Sequence, residues 1–260
     1  VTVIEAGDRI LHREDVDVSE AVQRILEQEG LRFVVGEAPA RVSRTARGVA
    51  VTVGGRSIEG SHLLVGIGRT PNTDGLGLET TGIRTDAYGY IEVDDHCRTA
   101  VDGVFAVGDV NRRGGFTHTA VNDAEIVLDT MRGGTRSLAG RIPTYALFVD
   151  PPLARTGLTE REAVDAGHNV LVAIREMATI NRAREMGETE GFVKLLVDGD
   201  TDRILGATIL GVGGDEIINM FTAFMVADRP CLEYRHAMFL HPTVSELMPF
   251  ILDGLAPSSL

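Results

Sequence analysis

The segment MFLHPTVSELMPF, residues 238–250, joins a histidine to a proline at His241-Pro242 and sets Glu246 five positions further on. An imidazole titrates near neutrality, with an unperturbed pKa of about 6.5. His241 can therefore exchange protons with a substrate, and a carboxylate can orient it and support its charged form. The same residues also read as Thr243-Val244-Ser245-Glu246, an S/T-x-x-E capping box at the start of a helix. A second carboxylate closes TAVDGVFAVGDV, residues 99–110, where Gly108-Asp109 ends a strand-like apolar run. At a strand end a carboxylate can accept hydrogen bonds from a sugar-like chain of hydroxyls, and the preceding glycine lets a ligand approach the backbone. A plain Gly-Asp turn fits that spacing as well. A third acid, Glu5, ends the run Val1–Ile4. An acid placed there holds the ribose hydroxyls of a dinucleotide, about 20 residues after a glycine fingerprint. No such fingerprint occurs here: GIGRTP and GVGGDE both lack the third glycine. Taken alone, Glu5 is an ordinary solvated strand-end residue.

The rest of the composition narrows the chemistry. A formal net charge of −13 over 260 residues disfavours nucleic acid and anionic membrane surfaces as partners, because like charges repel phosphates. No apolar run approaches the roughly 20 residues of a membrane helix, and the opening VTVIEAGDRI carries no secretory signal. The two cysteines, Cys97 and Cys231, lie far apart and form no metal-binding spacing, so we expect no metal site and a cytoplasmic location. The chain opens without methionine, inside a strand-like run, which suggests a piece of a longer polypeptide.

Elements that could position these groups follow from periodicity. We expect a buried parallel strand over Val1–Ile4, then an amphipathic helix over Ser19–Glu29, capped by Ser19 and closed by Gly30. Strands are expected at Arg32–Val35 and Gly48–Val53, with GGRSIEG as a turn-rich connection, and a buried strand at His62–Ile67. After a loop over 72–89 come strands at Tyr90–Val93 and Gly103–Val107 and a helix at Thr119–Met131. Beyond residue 141 the pattern changes to strands at Tyr145–Val149, Val170–Ile174, Gly191–Val197 and Ile204–Leu210. The last two are joined by a hairpin turn within VDGDTDRI. Helices are expected at Thr159–Ala166, at Asp215–Ala227 and after Pro242. The fold class is α/β, followed by an α+β module.

Five stretches in this order, VTVIEAGDRIL, LLVGIGRTPN, TAVDGVFAVGDV, DPPLARTGLTE and HPTVSE, resemble the pyridine nucleotide-disulfide oxidoreductases. These are the flavoproteins of the dihydrolipoamide dehydrogenase, glutathione reductase and mercuric reductase type. The resemblance implies Rossmann-like remnants of an NAD(P)-binding domain over 1–70 and of an FAD-binding domain over 71–140. It implies an interface domain over 141–260 that forms a homodimer. It gives Asp109 to the flavin ribitol, with Gly68 and Gly108 as backbone positions beside the cofactor. The start of a helix at Phe116–Ala120, including Thr117 and His118, would face the flavin with its amides. Glu5 then favours NADH over NADPH, since an acid repels a 2′-phosphate; Arg9 is the nearest cation. His241, oriented by Glu246, would exchange protons with the dithiol of the other subunit, and His241-Pro242 would be cis. The redox CxxxxC and most of the FAD site are absent from these residues, so residues 1–260 alone are expected to be dimeric, colourless and inactive.

Within the family, the tyrosine and the terminal cysteine pair of mercuric reductases are missing, since His241 stands in place and the chain ends LAPSSL. LHREDVDVSEA, GGFTHTAVNDAEIV, VDPPLARTGLTE, RAREMGETEGFVK and GGDEIIN nevertheless resemble the mercuric-reductase-like branch, which includes flavoproteins of reactive-chlorine resistance thought to reduce copper(II). The leading expectation is an FAD- and NADH-dependent reductase of a small disulfide or dithiol. The alternatives are a metal-ion reductase and a non-catalytic dimerisation and nucleotide-binding module. Arg182 and Arg184 are read as a solvated basic loop.

Overall fold

A computed structural model describes residues 1–260. It resolves into two compact units, residues 1–63 with 142–260, and residues 64–141. The architecture is mixed α/β, as the apolar periodicities predict.

The first unit opens with strand β1 (Thr2–Glu5), helix α1 (Val16–Gln28) and strand β2 (Arg32–Val35). β1 and β2 pair in parallel from Thr2–Arg32 to Glu5–Val35, so α1 is the crossover that a parallel pair requires. Val18, Ala21, Val22 and Ile25 recur at helical spacing and are buried. The helix starts three residues before the expected position. Asp15 is its N-cap, while Ser19 is buried inside the first turn and donates to the Ile10 carbonyl at 2.6 Å. β1 is half-buried rather than buried, having one ladder partner only. Next come β3 (Pro39–Thr45), β4 (Gly48–Val53) and β5 (Arg56–Gly60), an antiparallel sheet. β3 has no apolar alternation to announce it. GGRSIEG is corrected to a tight Gly54-Gly55 turn, both residues with positive φ, followed directly by β5.

The second unit is built around helix α2 (Thr117–Met131), with Cys97, Ile126 and Leu138 at its core. Two expected strands are absent here. Tyr90–Val93 and Gly103–Val107 reduce to single bridges, Thr85 with Ile91 and Arg98 with Phe105. HLLVGI forms no strand either, and Leu64 and Ile67 are 95% and 89% exposed. An apolar run becomes a strand only where a neighbour offers ladder bonds, and none does so within this chain.

The first unit resumes with β6 (Thr144–Leu147), β7 (Leu153–Gly157), α3 (Glu160–Asp165), β8 (Val170–Glu176), α4 (Asn181–Met186), β9 (Phe192–Asp198), β10 (Ile204–Leu210), α5 (Gly214–Val226), α6 (Cys231–Arg235) and β11 (Ala256–Pro257). The sheet order is β11-β8-β9-β10-β7-β6, antiparallel throughout. β7, α4, α6 and β11 are additions to the expected set. Arg182 and Arg184 lie on α4 rather than in a loop, with Arg182 paired to Glu185 at 3.0 Å. The helix expected after Pro242 is two short 3-10 segments, Ser245–Leu247 and Pro249–Gly254.

All seven residues of β9 are buried because both faces of the strand are covered. Val193, Leu195 and Val197 pack with Ile218 and Phe221 of α5. The intervening residues point the other way; Phe192 joins Ile10 and the apolar stripe of α1. Lys194 shares that second face, which is how an ammonium comes to be buried beside the first turn of α1.

Candidate active site

α6 sets up the approach to His241. Tyr234 is buried among Phe221, Phe224 and Phe239, with ring centroids 5.3, 5.3 and 5.8 Å away. That aromatic cluster holds the segment leading to the His241-Pro242 bond, which is cis, as is Asp150-Pro151. Thr243 then closes the turn: its hydroxyl donates to the Leu240 carbonyl at 2.7 Å and accepts the Glu246 amide at 3.2 Å. Half of the capping box is thus present. The other half is not, because the Glu246 carboxylate turns to His241 Nδ1, at 2.8 and 3.1 Å.

A carboxylate only accepts, so Nδ1 is the donor in that contact and Nε2 takes no part in it. The His241 side chain is 74% exposed whereas that of Glu246 is 12% exposed, so the acid is held and the imidazole is presented. Both line an open depression of about 600 Å³ with Asn181, His236, Met238 and Phe250. Arg235, on its rim, is held by two bonds to Asp253 at 2.8 and 3.0 Å.

A second constellation forms within residues 64–141. Gly108 has φ +76° and its Cα faces α2: a Cβ there would stand 3.3 Å from that of Ala120. The glycine is required for this close packing as well as for its left-handed backbone. Asp109 follows, 62% exposed, with Arg69 Nη1 3.3 Å from its carboxylate. Arg69 also donates to the Gly115 carbonyl at 3.3 Å, which brings the Gly68 turn beside Asp109 and the approach to α2. Thr117 and His118 form the first turn of the 15-residue α2, where the helix dipole is positive. The Thr119 hydroxyl secures that end, accepting from the Phe116 amide at 3.2 Å. Gly68, Gly108, Asp109, Thr117 and His118 therefore assemble. An exposed carboxylate beside a helix N-terminus fits a polyol bearing an anionic or electron-accepting ring, the chemistry of a flavin.

Glu5 is the last residue of β1. One carboxylate oxygen accepts the Gly7 amide at 2.7 Å, which fixes the side chain and leaves its second oxygen for hydroxyl donors. Arg9 is turned into its own loop, donating to the carbonyls of His12 and Glu14 at 3.0 and 3.3 Å.

Sequence reasoning missed Asp123, Asn111 and Arg141. Asp123 is 1% exposed and binds all of the Gly108 amide, the Asn111 side chain and the Arg141 guanidinium. A signal was available: Asp123 lies three residues from both Ala120 and Ile126, on the face that α2 buries. No group of three or more His, Cys, Asp or Glu side chains forms a metal-ligand cluster. No helix is long and apolar enough to cross a membrane.

Comparison with known proteins adds relatives to this geometry. The family model described as pyridine nucleotide-disulphide oxidoreductase matches residues 1–124, and that family's dimerisation domain matches 143–249. A probable pyridine nucleotide-disulfide oxidoreductase RclA of Escherichia coli is 36% identical over 249 residues, 95% of this chain and 56% of that protein. The dihydrolipoyl dehydrogenase of Bacillus subtilis is 33% identical over 253 residues, 95% of this chain and 53% of the relative. Among solved structures, the Cu(II) complex of the HOCl-induced flavoprotein disulfide reductase RclA from Escherichia coli matches with TM-score 0.92 at 34% identity. It covers 97% of this chain and 58% of that one. LpdA of Mycobacterium tuberculosis matches with TM-score 0.90 at 27% identity, over 97% of this chain and 56% of its own. The chain spans a little over half the length of these relatives.

Proposed function

Because this chain belongs to the pyridine nucleotide-disulphide oxidoreductase family, we propose that it supplies the proton-handling and part of the cofactor-holding machinery of an FAD-dependent, NADH-oxidising disulfide reductase of dihydrolipoamide dehydrogenase type. The observation that carries this reading is the His241–Glu246 contact at 2.8 Å, formed at the expense of an ordinary capping box. Bound FAD would supply the two-electron relay between nicotinamide and a disulfide. His241 Nε2 takes the proton of a thiol as it becomes thiolate, or returns one as a disulfide is reduced. Glu246 keeps the imidazole in the useful tautomer and stabilises the imidazolium.

The remaining residues take binding roles. Asp109 would accept hydrogen bonds from a flavin's hydroxyl chain, and Thr117 and His118, in the first turn of α2, would offer it the positive end of the helix. Gly68 and Gly108 give the backbone its close approach. Glu5 accepts from a ribose, and the diversion of Arg9 into its own loop supports NADH over NADPH. The domain assignment 1–70, 71–140 and 141–260, a cytoplasmic location and a homodimer through the last region belong to the same proposal. In that dimer His241 would serve a dithiol of the other subunit. Cys97 and Cys231 are buried free thiols and are not that dithiol.

The test is steady-state NADH oxidation by the whole native polypeptide that carries these residues. Lipoamide should be turned over, and H241Q should lower that turnover by about 10²–10⁴-fold, the usual worth of a general acid–base group. Absence of lipoamide turnover together with rapid reduction of metal ions would refute the disulfide reading.

A metal-ion reductase is the second reading. It is favoured by the copper named for the similar flavoprotein and by the residues lining the His241 depression, where a thioether (Met238) and a second imidazole (His236) face solvent. Copper(II)-dependent NADH oxidation that falls in M238L but survives H241Q would support it.

A further inference from the structure

One buried carboxylate, Asp123 of α2, bears on the loop that carries Asp109. Asp123 Oδ2 accepts two hydrogen bonds, from the Gly108 amide at 2.9 Å and from Asn111 Nδ2 at 2.8 Å. Its other oxygen is paired with Arg141. Asn111 extends the hold in both directions along the chain. Its Nδ2 also donates to the Ala106 carbonyl at 3.0 Å, and its Oδ1 accepts the Arg113 amide at 2.8 Å. Arg141 donates in turn to the Arg113 carbonyl at 3.3 Å. The loop 106–113 is therefore strapped at its beginning, middle and end, and every strap returns to Asp123 or to a partner of Asp123.

The consequence is geometric. Asp123 sits six residues into α2 from Thr117, roughly 9 Å along the axis at 1.5 Å per residue. Holding the Gly108 amide there fixes the Val107–Gly108 peptide, one residue ahead of Asp109. On that side Gly108 lies near Ala120, where an added Cβ would stand 3.3 Å from the Ala120 methyl. Asp109 itself has only an exposed arginine for a partner, so its own contacts do not locate it. The position of the Asp109 carboxylate relative to the helix N-terminus is thus set through the backbone, by a buried side chain rather than by its own contacts.

We propose that Asp123 is the positioning residue of the flavin site, holding the loop that carries Asp109 against helix α2. This rests on the flavin reading proposed above. A carboxylate is required because Oδ2 must accept from two donors while Oδ1 meets a guanidinium. An asparagine has one acceptor oxygen and would turn its NH₂ toward a donor.

The experiment uses the whole native polypeptide, stripped of flavin and titrated with FAD, with binding followed by flavin fluorescence and visible absorption. Asp123→Asn should weaken FAD binding about 10- to 100-fold, the equilibrium equivalent of one hydrogen bond to a charged group. It should also shift the absorption band of whatever flavin still binds. Ile126→Ala, one turn along the same buried face, should lower the melting temperature yet leave FAD affinity within about twofold. If Asp123→Asn does not fold, Asn111→Ala removes part of the strap and should cost about tenfold by the same reckoning. FAD affinity that falls in step with melting temperature in all variants would make Asp123 merely structural and overturn the proposal, as would unchanged affinity in Asp123→Asn. A wild-type protein that takes up no FAD would overturn the flavin reading itself, and the inference with it.

Discussion

Replacing Lys194 with methionine isolates the energetics that join α1 to the large sheet. The ammonium lies 2.7 Å from Glu160, 2.9 Å from Asp17 and 3.1 Å from Asp15, and it is buried. At an effective dielectric of about 20, one pair near 3 Å is worth roughly 5 kcal/mol before desolvation. Desolvation of the ions offsets much of this in the native protein, and methionine keeps the apolar stem packed. What the substitution leaves behind decides the outcome. Asp15 and Glu160 stay almost fully buried with their charges. Asp15 retains two amide donors from the start of α3, Glu160 at 3.0 Å and Arg161 at 3.4 Å. Asp17, 39% exposed, is screened by water and contributes little. Stranding buried carboxylates in this way costs about 3–5 kcal/mol. For a protein of this size that is a fall of roughly 6–20 °C in melting temperature.

Calorimetry at pH 7.5 and at pH 5 tests the charge account against a packing account. With its cation gone, the cluster favours protonated carboxyls, so the deficit of K194M should shrink at the lower pH. A deficit independent of pH would mean that lost packing, not stranded charge, is responsible. Stability within about 1 kcal/mol of wild type at pH 7.5 would refute the reasoning outright, since it would show that the three acids need no cation.

Other outcomes follow from the same coordinates. In the wild type, burial disfavours the Lys194 ammonium, but its bonds to Glu160 and Asp17 and the charge of Asp15 prevail and raise its pKa. Its stabilisation is therefore complete below about pH 10.5 and is lost only as pH rises through the higher folded value, which alkaline melting curves will show. Burial pushes the Cys97 thiol up to about 11, with the Asp123 charge acting the same way, and burial also raises Cys231. Neither should react with a thiol reagent at pH 8 until the chain is unfolded, as a time course with and without urea would reveal. Gly191→Ala should destabilise by about 2–4 kcal/mol in urea titrations, because its Cβ would stand 2.0 Å from the Leu210 carbonyl at φ +93°.

How far the fold can be read in advance depends on where each segment finds its partners. α1, α2, β2, β4, β8, β9 and β10 carry their pattern within themselves, as a helical stripe or a buried run, and form near the expected places. β3, PARVSRT, has almost no apolar signal and becomes a strand only because β4 offers it a ladder. HLLVGI is the converse case: it has the composition of a buried strand but no ladder to join within this chain. Strand formation is a property of pairs, so single-segment composition overcalls one and undercalls the other. β7, LARTG, illustrates a further limit. Its central arginine argues against burial until Glu14, 141 positions away, meets Arg155 at 3.0 Å.

The same distinction governs the candidate site. His241 and Glu246 are five residues apart, and the sequence leaves two local bonding schemes open for the acid. The fold decides between them because Thr243 alone suffices to close the turn, accepting the Glu246 amide and donating to Leu240. With that turn satisfied, the Glu246 carboxylate can serve His241. Closing the turn and holding His241 are thus divided between Thr243 and Glu246 rather than being competing roles of one acid. Asp123 shows why the rest was hidden. Its partners Gly108, Asn111 and Arg141 lie 15, 12 and 18 residues away and share no common spacing. Only the helical phase of Asp123 marks it as buried, and a buried aspartate must have its acceptors filled. A charged residue on the apolar phase of a helix therefore predicts a strap somewhere in the chain, even where the strapped loop cannot be named from sequence.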